Sequence, residues 1–182
     1  MTPPTGLWSR WAVRYRRIRQ RRWARWGIDL AMLAALVLGI GAWQTRSHLS
    51  GGQAPGAVLA TLDGERISLD SLRGKPVVLA FWAPWCSVCG AESQNLSWVR
   101  SVVGDRARVV SVAASFEDPG QVSAYVRDHG VDYPVLLGDD ALLRAFHVEA
   151  FPTAYFLDAR GRVQRSVTGY TTTLGLLARL IL

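Results

Sequence analysis

The sequence predicts an α/β fold: a mixed central sheet flanked by helices, with an N-terminal hairpin and one transmembrane helix ahead of it. Three observations carry that reading. From Val77 to Phe146, short apolar runs alternate with helix-length amphipathic segments, the pattern of strands covered by helices. From Thr153 to Leu182 the pattern changes to a hairpin followed by a closing helix, which adds antiparallel strands to the sheet. At the other end, an arginine-rich stretch runs into the apolar segment Trp26 to Trp43.

Of the 182 residues, the first 25 hold eight arginines and no acid, whereas the remainder holds 13 basic and 14 acidic residues. The net charge of +7 therefore resides in this segment. It marks no basic face on the domain, and no nucleic-acid partner is expected. The apolar segment that follows is 18 residues from Trp26 to Trp43, with Asp29 near its start. Its uncharged part, Leu30 to Trp43, is only 14 residues, a length that also suits the core of a cleaved signal peptide. No A-x-A-like cleavage site follows, Gly39-Ile40-Gly41 being the nearest approach, so an uncleaved signal anchor is the preferred reading. Trp23, Trp26 and Trp43 bracket the run as interfacial residues do. The positive-inside rule then leaves the N-terminus in the cytoplasm and the folded domain outside. The expected organisation is a basic segment at 1–25, an anchor at 26–43, a Gly/Ser/Pro-rich flexible linker at 44–56 and one domain at 57–182.

Within the domain, Ala57–Thr61 and Arg66–Leu69 flank Asp63-Gly64, a hairpin signal. Ser71–Gly74 reads as a turn, and Val77–Phe81 as a central strand buried on both faces. Ser87–Val103 is expected to be a helix with Val88, Ala91, Leu96, Val99 and Val103 near its inner face. Arg108–Ala113 is a second buried strand. Asp118-Pro119 opens the next helix and Gly130 closes it. Tyr133–Leu137 is a strand and Asp139–Phe146 a short helix. Thr153–Asp158 and Arg162–Thr168 form a hairpin across Ala159-Arg160-Gly161, and Thr171 or Thr172 caps the last helix.

The only two cysteines, Cys86 and Cys89, lie between the apolar strand and the helix after it. A C-x-x-C pair at a strand-to-helix junction reads as a redox centre, because two intervening residues let both sulfurs share the first helical turn and form a reversible disulfide. Cys86 would stand at the helix N-terminus, where free N–H groups and the macrodipole favour thiolate, which makes it the nucleophile. Cys89 is then the resolving thiol. Other readings fit less well. Zinc would need two more ligands, and His48, His129 and His147 show no paired spacing. A purely structural disulfide closing so small a ring would constrain the unfolded chain little. No cofactor or metal is expected.

The active-site stretch Phe81-Trp82-Ala83-Pro84-Trp85-Cys86-Ser87-Val88-Cys89, the later Phe151-Pro152-Thr153 and the terminal hairpin and helix together resemble the thioredoxin superfamily, over about residues 54–182. The 66 positions from Cys86 to Pro152 hold an extra βα unit. That insertion, the N-terminal hairpin and the anchor are similar to the TlpA/ResA branch with its ScsD-like members. Glu92, three residues after the second cysteine, matches the glutamate of ResA-type proteins. The resemblance implies that Pro152 is cis and faces the disulfide, and that Trp85, Phe151 and Pro152 bind substrate. Two departures stand out. Thioredoxin carries a buried aspartate where this chain has Ala80, so Glu92 is the expected acceptor of the Cys89 proton. The dipeptide Ser87-Val88 also lacks the proline common in the family, which leaves the redox potential open.

The implied activity is that of a thiol-disulfide oxidoreductase on protein substrates, held at a bacterial inner membrane with its catalytic domain in the periplasm. Reduction of disulfides, in cytochrome c maturation or under metal or redox stress, would need a membrane electron donor of the DsbD/CcdA/ScsB kind. The same thiols run backwards would oxidise or isomerise substrates. A third reading, a copper-binding module of the same fold, uses the affinity of two soft thiolates for Cu(I), although no Met-rich or His-rich cluster supports it.

Overall fold

The structure is a computed structural model that describes residues 26, 29–33, 35 and 51–181. The chain divides into two compact units, Met1–Gln44 and Thr45–Leu182. In the first, the described residues are helical and exposed. Among all described residues, no helix is long and apolar enough to cross a membrane. The basic segment 1–25, most of the expected anchor 26–43 and the linker up to residue 50 lie outside the described residues.

The second unit is built on a seven-stranded mixed sheet. Its strands are β1 (Val58–Thr61), β2 (Arg66–Ser68), β3 (Val77–Trp82), β4 (Arg108–Ala113), β5 (Val135–Leu137), β6 (Thr153–Leu157) and β7 (Val163–Thr168). Their order across the sheet is β2-β1-β5-β4-β3-β6-β7. Strands β3, β4 and β5 run parallel, and β1, β6 and β7 join by antiparallel pairing. The expected α/β architecture is present, and the extra βα unit supplies β5, which joins the N-terminal hairpin to the sheet.

All six residues of β3 are buried, and successive side chains go to opposite faces. Val77, Leu79 and Phe81 pack with Val112, Leu142, Phe146 and Tyr155 on one face. Val78 and Ala80 pack with Leu96, Val99, Phe156 and Leu176 on the other. The first face is therefore covered by helix α3 (Asp140–Ala145), and the second by α1 (Ser87–Val103) and α4 (Thr173–Ile181). Helix α2 (Pro119–Asp128) contributes Val122 and Tyr125 to a third cluster, which contains Trp82 and both cysteines.

Several boundaries follow local chemistry. Asp118 accepts from the Gly120 N–H at the start of α2, with Pro119 in the first turn. Gly130 takes φ +59° after its end, a conformation that suits glycine. Thr172 Oγ1 accepts from Gly175 N at 3.2 Å and so caps α4. Three expectations are corrected. Strand β5 starts at Val135, not Tyr133, since Pro134 has no N–H for the ladder and serves only as an acceptor, from Ser111 N. The turn before β3 is a 3-10 helix at Leu69–Leu72, with Leu69 and Leu72 in the core. In α1, Val88 and Ala91 point outward. The phase set by Leu96, Val99 and Val103 instead turns Cys89, Glu92 and Ser93 inward. Residues 51–54 are tied to the terminal hairpin. Gly51 N donates to Val163 O, Ala54 N donates to Gly161 O, and Gln53 bridges to Arg162.

Candidate redox site

Strand β3 ends at Trp82, and Ala83-Pro84-Trp85 carries the chain over the sheet edge into α1. Cys86 is the N-cap of that helix and donates its N–H to Ala83 O at 3.0 Å. No side chain caps the first turn, and no acid lies in it. The positive end of the helix is therefore left for the Cys86 sulfur. Cys86 and Cys89 form a disulfide, with Cα atoms 5.4 Å apart. Cys86 is 8% exposed and Cys89 2%, so an incoming group reaches the first sulfur more readily.

Aromatic rings fix this junction. The indole of Trp82 donates to Ser111 Oγ at 3.0 Å within the core and stacks on Tyr125, with centroids 4.0 Å apart. Tyr125 stacks in turn on His129, also at 4.0 Å. The imidazole approaches α1 so closely that a Cβ at Gly90 would lie 2.5 Å from His129 Nε2, which makes glycine the residue that fits there. Trp85 differs from Trp82 in being 68% exposed. Its Nε1 donates to the carbonyl of Ser115 at 2.9 Å, and its ring meets Phe151 edge-on at 5.8 Å. Phe151 is half-buried against the cluster that holds both cysteines. The Phe151–Pro152 peptide bond is cis, and Pro152 O accepts from Gly169 N at 2.8 Å.

Glu92 lies behind the disulfide. It is 2% exposed, on the same inward face of α1 as Cys89, and its Oε1 accepts from the backbone N–H of Thr171 at 3.1 Å. Burial pushes its carboxyl up from 4.5 to about 7, against the smaller opposing effect of the Thr171 bond. Next to it, Ser93 Oγ donates to Cys89 O at 3.0 Å and lies 3.2 Å from the Tyr125 hydroxyl. Burial raises the Tyr125 phenol, the Ser93 contact opposes that rise, and the nearby Glu92 charge adds to it. The hydroxyl of Tyr133 is also buried near Ser93, and burial pushes its phenol up against the opposing Ser93 contact.

The structure thus brings together Cys86, Cys89 and Glu92 on α1 with Trp85 and the Phe151–Pro152 turn at the same end of the sheet. Sequence reasoning missed Ser93, Ser111, Ser115 and Tyr125, read Thr171 only as a helix cap, and weighed His129 only as a metal ligand. A Tyr and a His spaced i, i+4 on one predicted helix were a usable signal for the stacked pair. The Ser and Thr partners carried none. Among the described residues, no three His, Cys, Asp or Glu side chains are grouped to hold a metal.

The AhpC/TSA family model matches residues 50–166. Over 153 residues the chain is 33% identical to the thioredoxin-like protein YneN of Bacillus subtilis, covering 80% of this chain and 89% of that protein. It is 31% identical over 159 residues to the thiol-disulfide oxidoreductase ResA of the same organism, covering 85% and 88%. Among solved structures, a thiol:disulfide interchange protein of the thioredoxin family from Chlorobium tepidum superposes with a TM-score of 0.64 at 27% identity. That match covers 71% of this chain and 94% of the other.

Proposed function

Because the chain belongs to the AhpC/TSA family, and to thiol-disulfide oxidoreductases within it, we propose that it reduces protein disulfides outside the cytoplasm while tethered to the inner membrane. The observation that carries the chemistry is the Cys86–Cys89 disulfide at the start of α1 with a buried Glu92 on the same helix face. In the reduced protein, the Cys86 thiolate attacks one sulfur of a substrate disulfide. A Cys86–substrate bond forms, and the other substrate sulfur leaves as thiolate and takes a proton from water. Cys89 then loses its proton to Glu92 and attacks Cys86 Sγ, which releases the second substrate thiolate and closes Cys86–Cys89. The second substrate thiolate takes the Cys89 proton from Glu92, so the substrate gains two electrons from the enzyme's thiols, one proton from water and one from the enzyme.

Glu92 suits this step because a carboxyl at about 7 is split between acid and base near neutral pH, where proton transfer from a thiol is best matched. Trp85, Phe151 and Pro152 offer the docking surface for the substrate chain. Pro152 itself is buried, and the exposed chain ahead of it at Glu149 and Ala150 is available to an added strand. The tether rests on the arginine block before Trp26–Trp43, which also places the domain outside. Soluble reductants are scarce there, so electrons must come from a membrane donor of the DsbD/CcdA/ScsB kind.

Direction is tested by the potential of Cys86–Cys89 together with insulin reduction. A reductase requires a value near about −270 mV, as in thioredoxin, with insulin turned over. A value near about −120 mV assigns the protein to disulfide formation instead. A copper titration alongside separates the metal-binding reading. Stoichiometric Cu(I) uptake without insulin turnover would replace the enzymatic proposal.

A further inference from the structure

Between Trp85 and helix α2 lies an open groove of about 590 Å³, which begins at the residue before Cys86. The Trp85 indole forms one wall and is held in place by the Ser115 carbonyl. The stacked rings of Tyr125 and His129 form another part of the lining. Glu117, just ahead of α2, and Asp128, at its end, also line it beside uncharged residues; both are exposed, and no lysine or arginine is present. The two salt bridges found among the described residues are Arg73–Asp70 and Arg100–Asp132, so neither groove carboxylate has an ion-pair partner.

We infer that this groove is a specificity subsite that receives a basic side chain, arginine or lysine, of the disulfide-bearing polypeptide; this rests on the reductase reading above. The chemistry of the lining selects among occupants. An acidic side chain would enter a groove lined by two carboxylates and no lysine or arginine. A purely apolar one would strip water from those carboxylates and return nothing for it. A basic side chain satisfies both parts of the groove, with its aliphatic stem along the exposed Trp85 indole and its cationic head beside Glu117 or Asp128, which stand at opposite ends of α2. Placement supports the same conclusion. The same indole that walls the groove meets Phe151, the residue before the cis-proline, edge-on. A substrate chain lying along Phe151 and Pro152 can therefore send a neighbouring side chain over Trp85 into the groove.

An exposed ring contact and an exposed ion pair are individually weak, and together they amount to about 5- to 10-fold in kcat/KM. The test uses the full chain in detergent and a set of disulfide-bonded peptides. These differ only in carrying Arg, Gln or Glu at single positions on either side of the reacting cysteine. The expected order at one or two positions is Arg above Gln above Glu, with the Arg:Gln ratio at 5 to 10. That ratio should fall towards one in the double variant Glu117→Gln/Asp128→Asn, and in wild type at roughly 1 M salt. If wild type reduces every peptide equally, the subsite is wrong and the reductase reading stands. An Arg preference that survives unchanged in the double variant removes Glu117 and Asp128 from recognition and overturns the inference. If no peptide is reduced although both thiols titrate normally, the reductase reading itself fails, and the subsite with it.

Discussion

Replacing Glu92 by glutamine should remove a pH dependence from stability and slow one chemical step. Burial holds the Glu92 carboxyl at about 7 in the folded protein, against 4.5 for an ordinary glutamate. Between those values the unfolded chain has released its proton while the folded protein still keeps it. Folded-state stability therefore falls as pH rises through that window. Below about 4.5 the group is neutral in both states and contributes no penalty. Above about 7 the penalty is complete. At roughly 1.4 kcal/mol for each tenfold change it amounts to about 3 kcal/mol. Glutamine is uncharged throughout, and its side-chain oxygen can still accept from Thr171 N.

The measurement is urea unfolding of the oxidised protein, wild type beside Glu92→Gln, from pH 4.5 to 8. The variant's advantage should grow across that range by about 3 kcal/mol and then level off, other carboxylates cancelling in the comparison. The same substitution should slow resolution of the Cys86 mixed disulfide by roughly 10²-fold, the scale of general-base catalysis. Attack by Cys86 on substrate should change far less. A stability difference that does not vary with pH, together with resolution at the wild-type rate, would refute the assignment and leave water as the proton's route.

Exchange of each cysteine should divide their roles. Cys89→Ser is expected to accumulate mixed disulfides with substrate on non-reducing gels, Cys86→Ser none, and equal trapping would reverse or abolish the assignment. A reporter fused after Gly52 should be extracytoplasmic and remain with membranes through carbonate washing; a cytoplasmic reporter rejects the topology. Ser111→Ala leaves the buried Trp82 indole N–H without its partner and should cost about 1–3 kcal/mol in unfolding free energy. A loss below about 0.5 kcal/mol would show that another acceptor or water replaces the serine.

What the sequence made legible follows from which forces leave a trace in residue order. Val77–Phe81 and Arg108–Ala113 read as buried strands because both faces are apolar, and α1 was bounded correctly at Ser87 and Val103. The inner face of α1 near the thiols was misread because hydrophobic periodicity cannot see polar residues that turn inward. There the core-facing positions are Cys89, Glu92 and Ser93, while the apolar Val88 and Ala91 face out. The groups that hold the site were hidden by distance. Ser111 lies 29 positions from Trp82, Ser115 lies 30 from Trp85, and Thr171 lies 79 from Glu92. No local pattern links such pairs, and only the closed sheet brings them together.

The position of the acid has a mechanical consequence. Ala80 occupies the strand site on the sheet face that α1 and α4 cover, where a carboxyl would be fixed to the rigid central β3. This chain carries its buried acid on α1 instead, within one turn of Cys89, so thiol and carboxyl belong to the same helix and keep their spacing if that helix shifts. The contact that restrains Glu92 comes from Thr171, just ahead of α4 and 79 positions away in sequence. That bond favours the charged carboxylate while burial opposes it, and the two act from different parts of the fold. Any motion that loosens α4 from α1 weakens the bond and admits water together. Because burial is the larger of the two effects, such a motion would let the carboxyl fall back towards its ordinary value and release its proton.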